Sequence, residues 1–307
     1  MKRHNYSVLY VIHALPEEIH DLGRIIDAFE HSTLENKNVD VTIYVDLNFS
    51  SQYYDWENSK IGKEYFYNLF INYVTHSRPN LNIIHHYRDY GHWGVNSTRR
   101  NAIREYKEKY DYIGFIDCDI VFDPESVNYV YETLEKVDGE FLIFSAMLPK
   151  MWNAHFDELT HPKFKNVTDR DFPFKINPLT VRNFHKTQKN QIGFTSEVII
   201  GGGWFNVFST TIFDYVDIPD ELGVYGLDDH WIQESCRFLN LSGWDIKQCY
   251  NTKFVIFENH GRKFLTPEPF LIRKSKTNGK FDYEKETKQN YPDLIRKYKE
   301  SIIEKYF

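Results

Sequence analysis

Tyr112-Ile-Gly-Phe-Ile-Asp-Cys-Asp119 is the stretch on which the fold turns. Ile113, Phe115 and Ile116 run without a polar break into two carboxylates set one residue apart. A short, unbroken apolar run reads as a strand covered on both faces, the habit of parallel sheets in α/β proteins. In extended backbone, Asp117 and Asp119 point to the same side. Carboxylates at the mouth of an apolar strand are costly to hold unless paired or bound to a cation. A divalent ion bridging them to a diphosphate fits, because hard cations choose oxygen ligands. Cys118, between them, reads as a packing residue.

Upstream, the same alternation repeats. Ser7–His13 is a β-branched and aromatic run, and Pro16 then opens a helix with Leu22, Ile25, Ile26 and Phe29 at helical spacing. Val39–Leu47 reads as a second strand carrying Asp46 at its end, and Leu81–His85 as a third. Asn96–Lys109 is predicted to be a helix with its charged residues outward. Asp123-Pro124 caps another helix, running to about Val137, and Glu140–Ser145 is the next strand. This β-α-β order predicts an α/β fold with a mostly parallel central sheet, helices on both faces, and ligands beyond the carboxyl ends of the strands.

The texture changes after Met147. Pro149–Asn190 is polar and aromatic without a period, and a loop of that length is usually functional. It reads as an insert over the site. Regular structure is predicted again at Glu197–Ile200 and Trp204–Phe208, in a helix from Asp228-Asp229 to about Leu239, and in a strand at Phe254–Phe257. Residues 261–307 hold 12 Lys or Arg against 7 Asp or Glu, so this tail is +5 and the remainder of the −7 chain is −12. Tyr291–Phe307 reads as an amphipathic helix with Leu294, Tyr298, Ile302 and Tyr306 on one face. Packing on the body accounts for such a helix, and a membrane surface or anionic partner is the alternative.

Composition bounds the function. The 307 residues are 41% hydrophobic, 26% charged and 17% aromatic, as in a globular protein with a real core. A net charge of −7 argues against wholesale binding to nucleic-acid phosphates. No apolar run reaches about 18 residues, the length of a membrane span. Three cysteines, Cys118, Cys236 and Cys249, build no disulfide framework and suit a reducing, cytoplasmic setting.

Three further groups hold chemistry. Gly91 and Gly94 allow close approach to a ligand, and Arg99 and Arg100 supply guanidinium forks for phosphate or base carbonyls. Gly201, Gly202 and Gly203 imply backbone contact with a ligand or a sharp bend. Trp204 and Trp231 either stack on a sugar ring or belong to the core. Asp228 and Asp229 stand at a predicted helix start, where acids cap; an acid there can also serve as general base for an acceptor hydroxyl. His260, after a strand and before Gly261, completes a manganese-type set of imidazole and carboxylates.

The order of these features, with GGGWFNVF at 201–208 and YGLDDHW at 225–231, resembles the GT-A fold glycosyltransferases, particularly family-2-like inverting enzymes with a galactosyl- or N-acetylgalactosaminyltransferase-like acceptor motif. The resemblance covers roughly residues 6–262. It implies a Rossmann-like GT-A domain over 1–262, divided into a nucleotide-sugar half (1–146), a loop insert (147–190) and an acceptor half (191–262), followed by a basic helical extension over 263–307.

The resemblance also assigns roles to residues. Asp46, Arg99, Arg100, Asn101, Asp117, Gly202 and Gly203 would line the nucleotide sugar. Asp117, Asp119 and His260 would hold Mn2+ or Mg2+. Asp228, in the family's usual Glu position, would hold acceptor hydroxyls with Trp204 and Trp231, and Asp229 would be the base. There are departures. His13-Ala-Leu-Pro16 replaces the usual Pro-x-x-Asn, one carboxylate replaces a double acid at Val45-Asp46-Leu47, and Asp228 has a shorter reach than Glu. The implied reaction is transfer from a nucleotide diphosphate sugar of the UDP type to a hydroxyl on a surface glycan or lipid-linked oligosaccharide. Hydroxymethylpyrimidine bases of phage DNA are an alternative acceptor, and a non-catalytic carbohydrate-binding module is the alternative of another class. A nucleotidyltransferase would need a Gly-rich, Lys-bearing loop after the first strand, and His13–Glu18 has none. The basic tail admits peripheral contact with the inner face of a membrane.

Overall fold

The computed structural model describes residues 6–35, 39–49, 54–76, 78, 81–89, 93–149, 156–166, 181, 183–200, 204–258 and 280–307. The elements, in chain order, are β1 (Tyr6–Ala14), α1 (Ile19–Glu35), β2 (Val39–Asn48), α2 (Lys63–Thr75), β3 (Asn82–Arg88), α3 (Val95–Tyr106), β4 (Tyr112–Asp117), β5 (Ile120–Val121), α4 (Asn128–Lys136), β6 (Phe141–Ser145), β7 (Ile192–Phe194), β8 (Phe205–Ser209), α5 (Asp228–Leu241), β9 (Ile246–Asn251), β10 (Phe257–Glu258) and α6 (Lys280–Tyr306).

Among the described residues, eight strands form one sheet in the order β3-β2-β1-β4-β8-β6-β9-β7. The pairs β1–β2, β2–β3, β1–β4 and β6–β9 are parallel. β8 runs antiparallel between β4 and β6, and β7 antiparallel on β9. The chain steps from β1 outward to β2 and β3, then returns to place β4 on the other side of β1. In open α/β sheets a reversal of this kind is where ligands bind, at the carboxyl ends of the strands, here β1 and β4.

Period-two alternation builds the two layers. Val8, Tyr10 and Ile12 of β1 join α1, α2 and α4 in one core, while Leu9 and Val11 join α3, α5 and α6 in the other. Tyr10 stacks on Phe29 of α1 at 4.2 Å. Gly114 in β4 lies against this ring: a Cβ there would meet Tyr10 Cδ1 at 2.6 Å. The expected α/β architecture, a mostly parallel sheet between helices, is the one found, and the antiparallel β8 and β7, which the sequence pattern does not predict, make the sheet mixed.

Three local expectations are corrected. Val198–Ile200 is not a ladder strand. Side chains hold it: Ile199 N donates to Gln248 Oε1 (2.6 Å), Ile200 N to Gln233 Oε1 (2.8 Å), and Arg237 Nε to the Val198 carbonyl (2.7 Å). The α3 polar side chains do not all face outward; Asn96, Ser97, Thr98, Arg99 and Arg100 are buried. The tail helix begins at Lys280 and its apolar face is wider than the expected one: Leu294, Tyr298, Ile302 and Tyr306 all pack on the body, and Tyr291 and Ile295 are buried beside them. It packs on α5, where Tyr291 Oη donates to Glu234 Oε2 (2.9 Å) and Lys299 Nζ to Glu234 Oε1 (2.7 Å). No helix among the described residues is long and apolar enough to cross a membrane.

The insert is anchored where it is described. Phe164 stacks on Phe184 at 5.7 Å, and both meet Phe257 of β10 edge to face. His185 is buried between Asp123 (3.2 Å) and Glu125 (3.4 Å). Residues 150–155 and 167–180, the middle of the proposed cover, lie outside the described residues.

Candidate functional site

β-pairing sets the first layer of the site. His13 of β1 pairs with Asp46 on one side and Asp117 on the other, so all three stand at one level of the carboxyl edge. Asp46 is fully buried. Its Oδ1 accepts from Arg88 Nε (3.2 Å), and its Oδ2 from Trp93 Nε1 (3.1 Å) and Thr98 Oγ1 (3.0 Å). Burial raises its pKa, and Arg88 and Thr98 pull it back. With both oxygens engaged, Asp46 is an organiser and not the direct nucleotide ligand expected. The pair it organises is Arg88 and Trp93: the guanidinium lies over the indole, 4.2 Å from the ring centroid. His13 Nδ1 lies 3.0 Å from Thr98 Oγ1, and burial plus the nearby Arg99 charge lower its pKa to about 3.

α3 supplies the second layer, from inside. Arg99 is 4% exposed. Its Nη2 donates to Asp117 Oδ1 at 3.0 Å and its Nη1 to Asp228 Oδ2 at 2.5 Å, with the guanidinium carbon 5.2 Å from the Phe115 ring centroid. Arg100 turns elsewhere. It donates to the carbonyls of Ile218 (2.8 Å), Pro219 (2.6 Å) and Gly223 (2.9 Å) and pairs with Asp220. Arg104 bonds Asp217 and Asp220, and Lys107 bonds Asp214. These cations clamp the 213–228 segment. Arg100 is therefore a fastener of that loop and not a nucleotide ligand. Asn101 is exposed, on a different face of α3 from buried Arg99, which corrects its expected place beside the donor.

The clamped loop delivers the acid pair. Gly223 and Gly226 adopt positive φ, and Leu227 does so without being glycine (φ 61°), one residue before α5. Neither acid caps the helix from the N-cap position, which Leu227 holds. Asp228 is buried against Arg99, so its surroundings give it an internal ion pair in place of acceptor hydroxyls. Asp229 is the more open of the two. One oxygen accepts from His230 N (2.7 Å), and burial together with the Asp228 charge raises its pKa. The indoles are corrected as well. Trp204 packs edge to face on Phe156, and Trp231 donates to the Asp217 carbonyl (2.7 Å) between Tyr291 and Tyr298. At 7% and 3% exposure they are core and offer no stacking face.

Asp117 and Asp119 remain accessible. The Asp117 side chain is 32% exposed, and among the described residues only its Oδ1 is bonded, to Arg99. Burial raises its pKa to about 7, with Arg99 opposing and Asp119, Asp228 and Asp229 reinforcing. Asp119 is half-buried and makes no hydrogen bond among the described residues. Cys118 is buried, its thiol donating to the Glu18 carbonyl (3.4 Å) and pushed up by burial, as suits packing. No group of three or more His, Cys, Asp or Glu close enough to hold a metal occurs among the described residues. Two open carboxylates one residue apart nevertheless fit a hard divalent ion that takes its other ligands from water and phosphate oxygens. β5 and β10 pair as Ile120 with Glu258, directly after Asp119. His260, Gly91, Gly201, Gly202 and Gly203 lie outside the described residues.

Several members of the site carry no sequence signal. Trp93 and Arg88 belong to no motif. Thr98 lies inside the Gly94–Ala102 run without a feature that assigns it a role, and the only hint of Leu227 is the glycine before it. No protein-family model and no curated protein matches the chain. Solved structures do. Staphylococcus aureus TarS, residues 1–349, aligns over 82% of this chain and 59% of its own, at 10% identity and a TM-score of 0.46. TarS in complex with UDP-GlcNAc aligns over 82% and 57%, at 10% identity and 0.45. Mycobacterium tuberculosis glucosyl-3-phosphoglycerate synthase in complex with Mg2+ and UDP aligns over 69% and 59%, at 12% identity and 0.34. The chain thus spans under two thirds of the length of these proteins.

Proposed function

We propose that the chain is a metal-dependent glycosyltransferase that moves a sugar from a nucleotide diphosphate of the UDP type to an acceptor hydroxyl with inversion. One observation supports this above the others. Asp117 at the end of β4 and Asp228 at the start of α5 share one buried guanidinium, that of Arg99, with Asp119 open beside Asp117 at the edge where the strand order reverses. Asp117 and Asp119 would hold Mg2+ or Mn2+, with His260 as the further ligand the resemblance implies. Bound there, the ion neutralises charge on a departing diphosphate.

The chain's own groups do the rest. Asp46, Thr98 and His13 fix Trp93 and Arg88 as the nucleoside side of the cleft. Asp229 takes the acceptor proton while the hydroxyl attacks the anomeric carbon from the face opposite the diphosphate, so one displacement inverts the centre. Burial and the neighbouring Asp228 charge raise the pKa of Asp229, which makes it a stronger base. A surface glycan or lipid-linked oligosaccharide is the acceptor class we favour over a DNA base. The α3 cations that could track a phosphate backbone are bonded internally. The buried free thiols of Cys118, Cys236 and Cys249 fit a reducing, cytoplasmic setting.

A panel of UDP-sugars incubated with Mn2+ or with EDTA, read by UDP release and by the anomeric signal of the product, tests the proposal. Release should stop with chelator and the product should carry the inverted configuration. Turnover indifferent to EDTA removes the metal role, retention removes the single displacement, and no nucleotide sugar bound or turned over sinks the reading.

A further inference from the structure

Arg99 is buried, seated on Phe115, and shared between Asp117 at the end of β4 and Asp228 at the start of α5, 111 residues apart in the chain. Both η nitrogens are occupied by acids, so the guanidinium serves the cleft from behind. The bond to Asp228 is the shorter, 2.5 Å against 3.0 Å to Asp117. Asp228 therefore takes the larger share of the positive charge, and Asp117, its side chain 32% exposed, keeps one oxygen unbonded among the described residues. A planar fork spans two carboxylates in this way with fixed geometry, whereas an ammonium is a point charge on a flexible stem.

Any cation that Asp117 holds works against the Arg99 charge behind it. How strongly depends on how well Asp228 offsets that charge. We propose that Arg99 is a positioning residue that makes the grip of Asp117 on a divalent cation depend on Asp228, so that the donor and acceptor sides of the cleft are coupled through one guanidinium that touches neither substrate. The inference rests on the glycosyltransferase reading and deepens it. Anything that shifts the start of α5 at the acceptor side, and with it Asp228, changes donor-cation affinity at Asp117, and the converse holds by linkage.

The test is a double-mutant cycle read by binding. UDP is titrated calorimetrically in Mn2+ and in EDTA, and the ratio of affinities gives the metal-dependent gain. Variants are Asp228→Asn, Arg99→Gln and the pair, with thermal melts confirming folding. With Arg99 in place, Asp228→Asn should cut the gain by about tenfold, the size of a strong pairwise coupling. In the Arg99→Gln background the same change should cut it by about twofold or less, what remains being direct charge loss. An equal cut in both backgrounds overturns the coupling, because Asp228 then acts on the cation directly. If Arg99→Gln does not fold, Arg99→Lys replaces it. The coupling should shrink there too, and an undiminished tenfold effect in the Arg99→Lys background overturns the proposal. A wild-type protein that binds no UDP in either condition overturns the functional reading, and this inference with it. UDP binding with a metal gain and an additive cycle overturns this inference alone.

Discussion

Gly94 lies directly beneath the Val224 carbonyl: a Cβ on Gly94 would stand 2.3 Å from Val224 O. Neighbouring contacts hold the same seat, since Asn96 N donates to that oxygen at 3.1 Å and Asn96 Nδ2 to the carbonyls of Leu222 and Gly226. The start of α3 and the loop that carries Asp228 and Asp229 thus form one unit. Gly94→Ala forces a side chain against backbone, so it should cost about 2–3 kcal/mol, the upper range for overpacking. Chemical denaturation checks it. An unchanged midpoint would mean that the 222–227 loop slides freely over α3, contrary to these contacts.

Arg100 separates a fastener from a ligand. Arg100→Leu takes the donor from the Gly223 carbonyl and one of two donors from those of Ile218 and Pro219, and should lower stability by about 1–3 kcal/mol. UDP affinity of the folded fraction should hold within about twofold, well below the loss of a charged hydrogen bond. Normal stability with a large loss of nucleotide affinity would restore the donor-side role.

Asp229 and the nucleotide should be separable. Asp229→Asn keeps the shape of the side chain and its bond from His230 N, yet removes the base. Turnover should fall by about 10²–10⁴-fold, the usual weight of general-base catalysis. UDP affinity in Mn2+ should change little. Lost UDP binding with intact folding would move Asp229 from the acceptor side to the donor side.

His13 predicts a pH dependence of stability. The native ring stays neutral down to about pH 3, whereas the unfolded chain titrates near 6.5. Above that value His13 imposes no penalty. As pH falls through it, the unfolded state takes up a proton that the native state refuses, and stability declines until the native pKa is reached. His13→Asn removes this contribution while retaining a polar partner for Thr98. The melting temperature of the wild type relative to the variant should therefore fall between about pH 8 and about pH 5. A constant difference across that range would mean that the native ring takes up a proton as readily as the unfolded one.

How far the site is legible in the chain depends on whether its signal is local. The apolar runs of β1, β2, β4 and β6, the spacing of Leu22, Ile25, Ile26 and Phe29, and the acids at strand ends are local facts, and each stands close to where it was expected. β9 has no such signal because Gln248 and Asn251, buried mid-sheet, break the apolar pattern; their partners are Ile199, Ser145, Asn190 and Thr133, all distant in the chain. α2 is equally hidden, its aromatic run masking the single buried row of Phe66, Phe70 and Val74.

Sequence alone determined the layered α/β architecture and the carboxylates at its edge, because period-two burial and strand-end position depend on neighbours a few residues away. Only the tertiary structure decided which charges face the candidate site. Arg99 and Arg100 are adjacent in the chain, as are Asp228 and Asp229. Yet one arginine bridges two acids and the other ties down a loop; one acid is buried and its neighbour is more open. Adjacent helical residues point about 100° apart, and the α3 arginines and the acid-bearing loop that meet here are brought together from opposite halves of the chain.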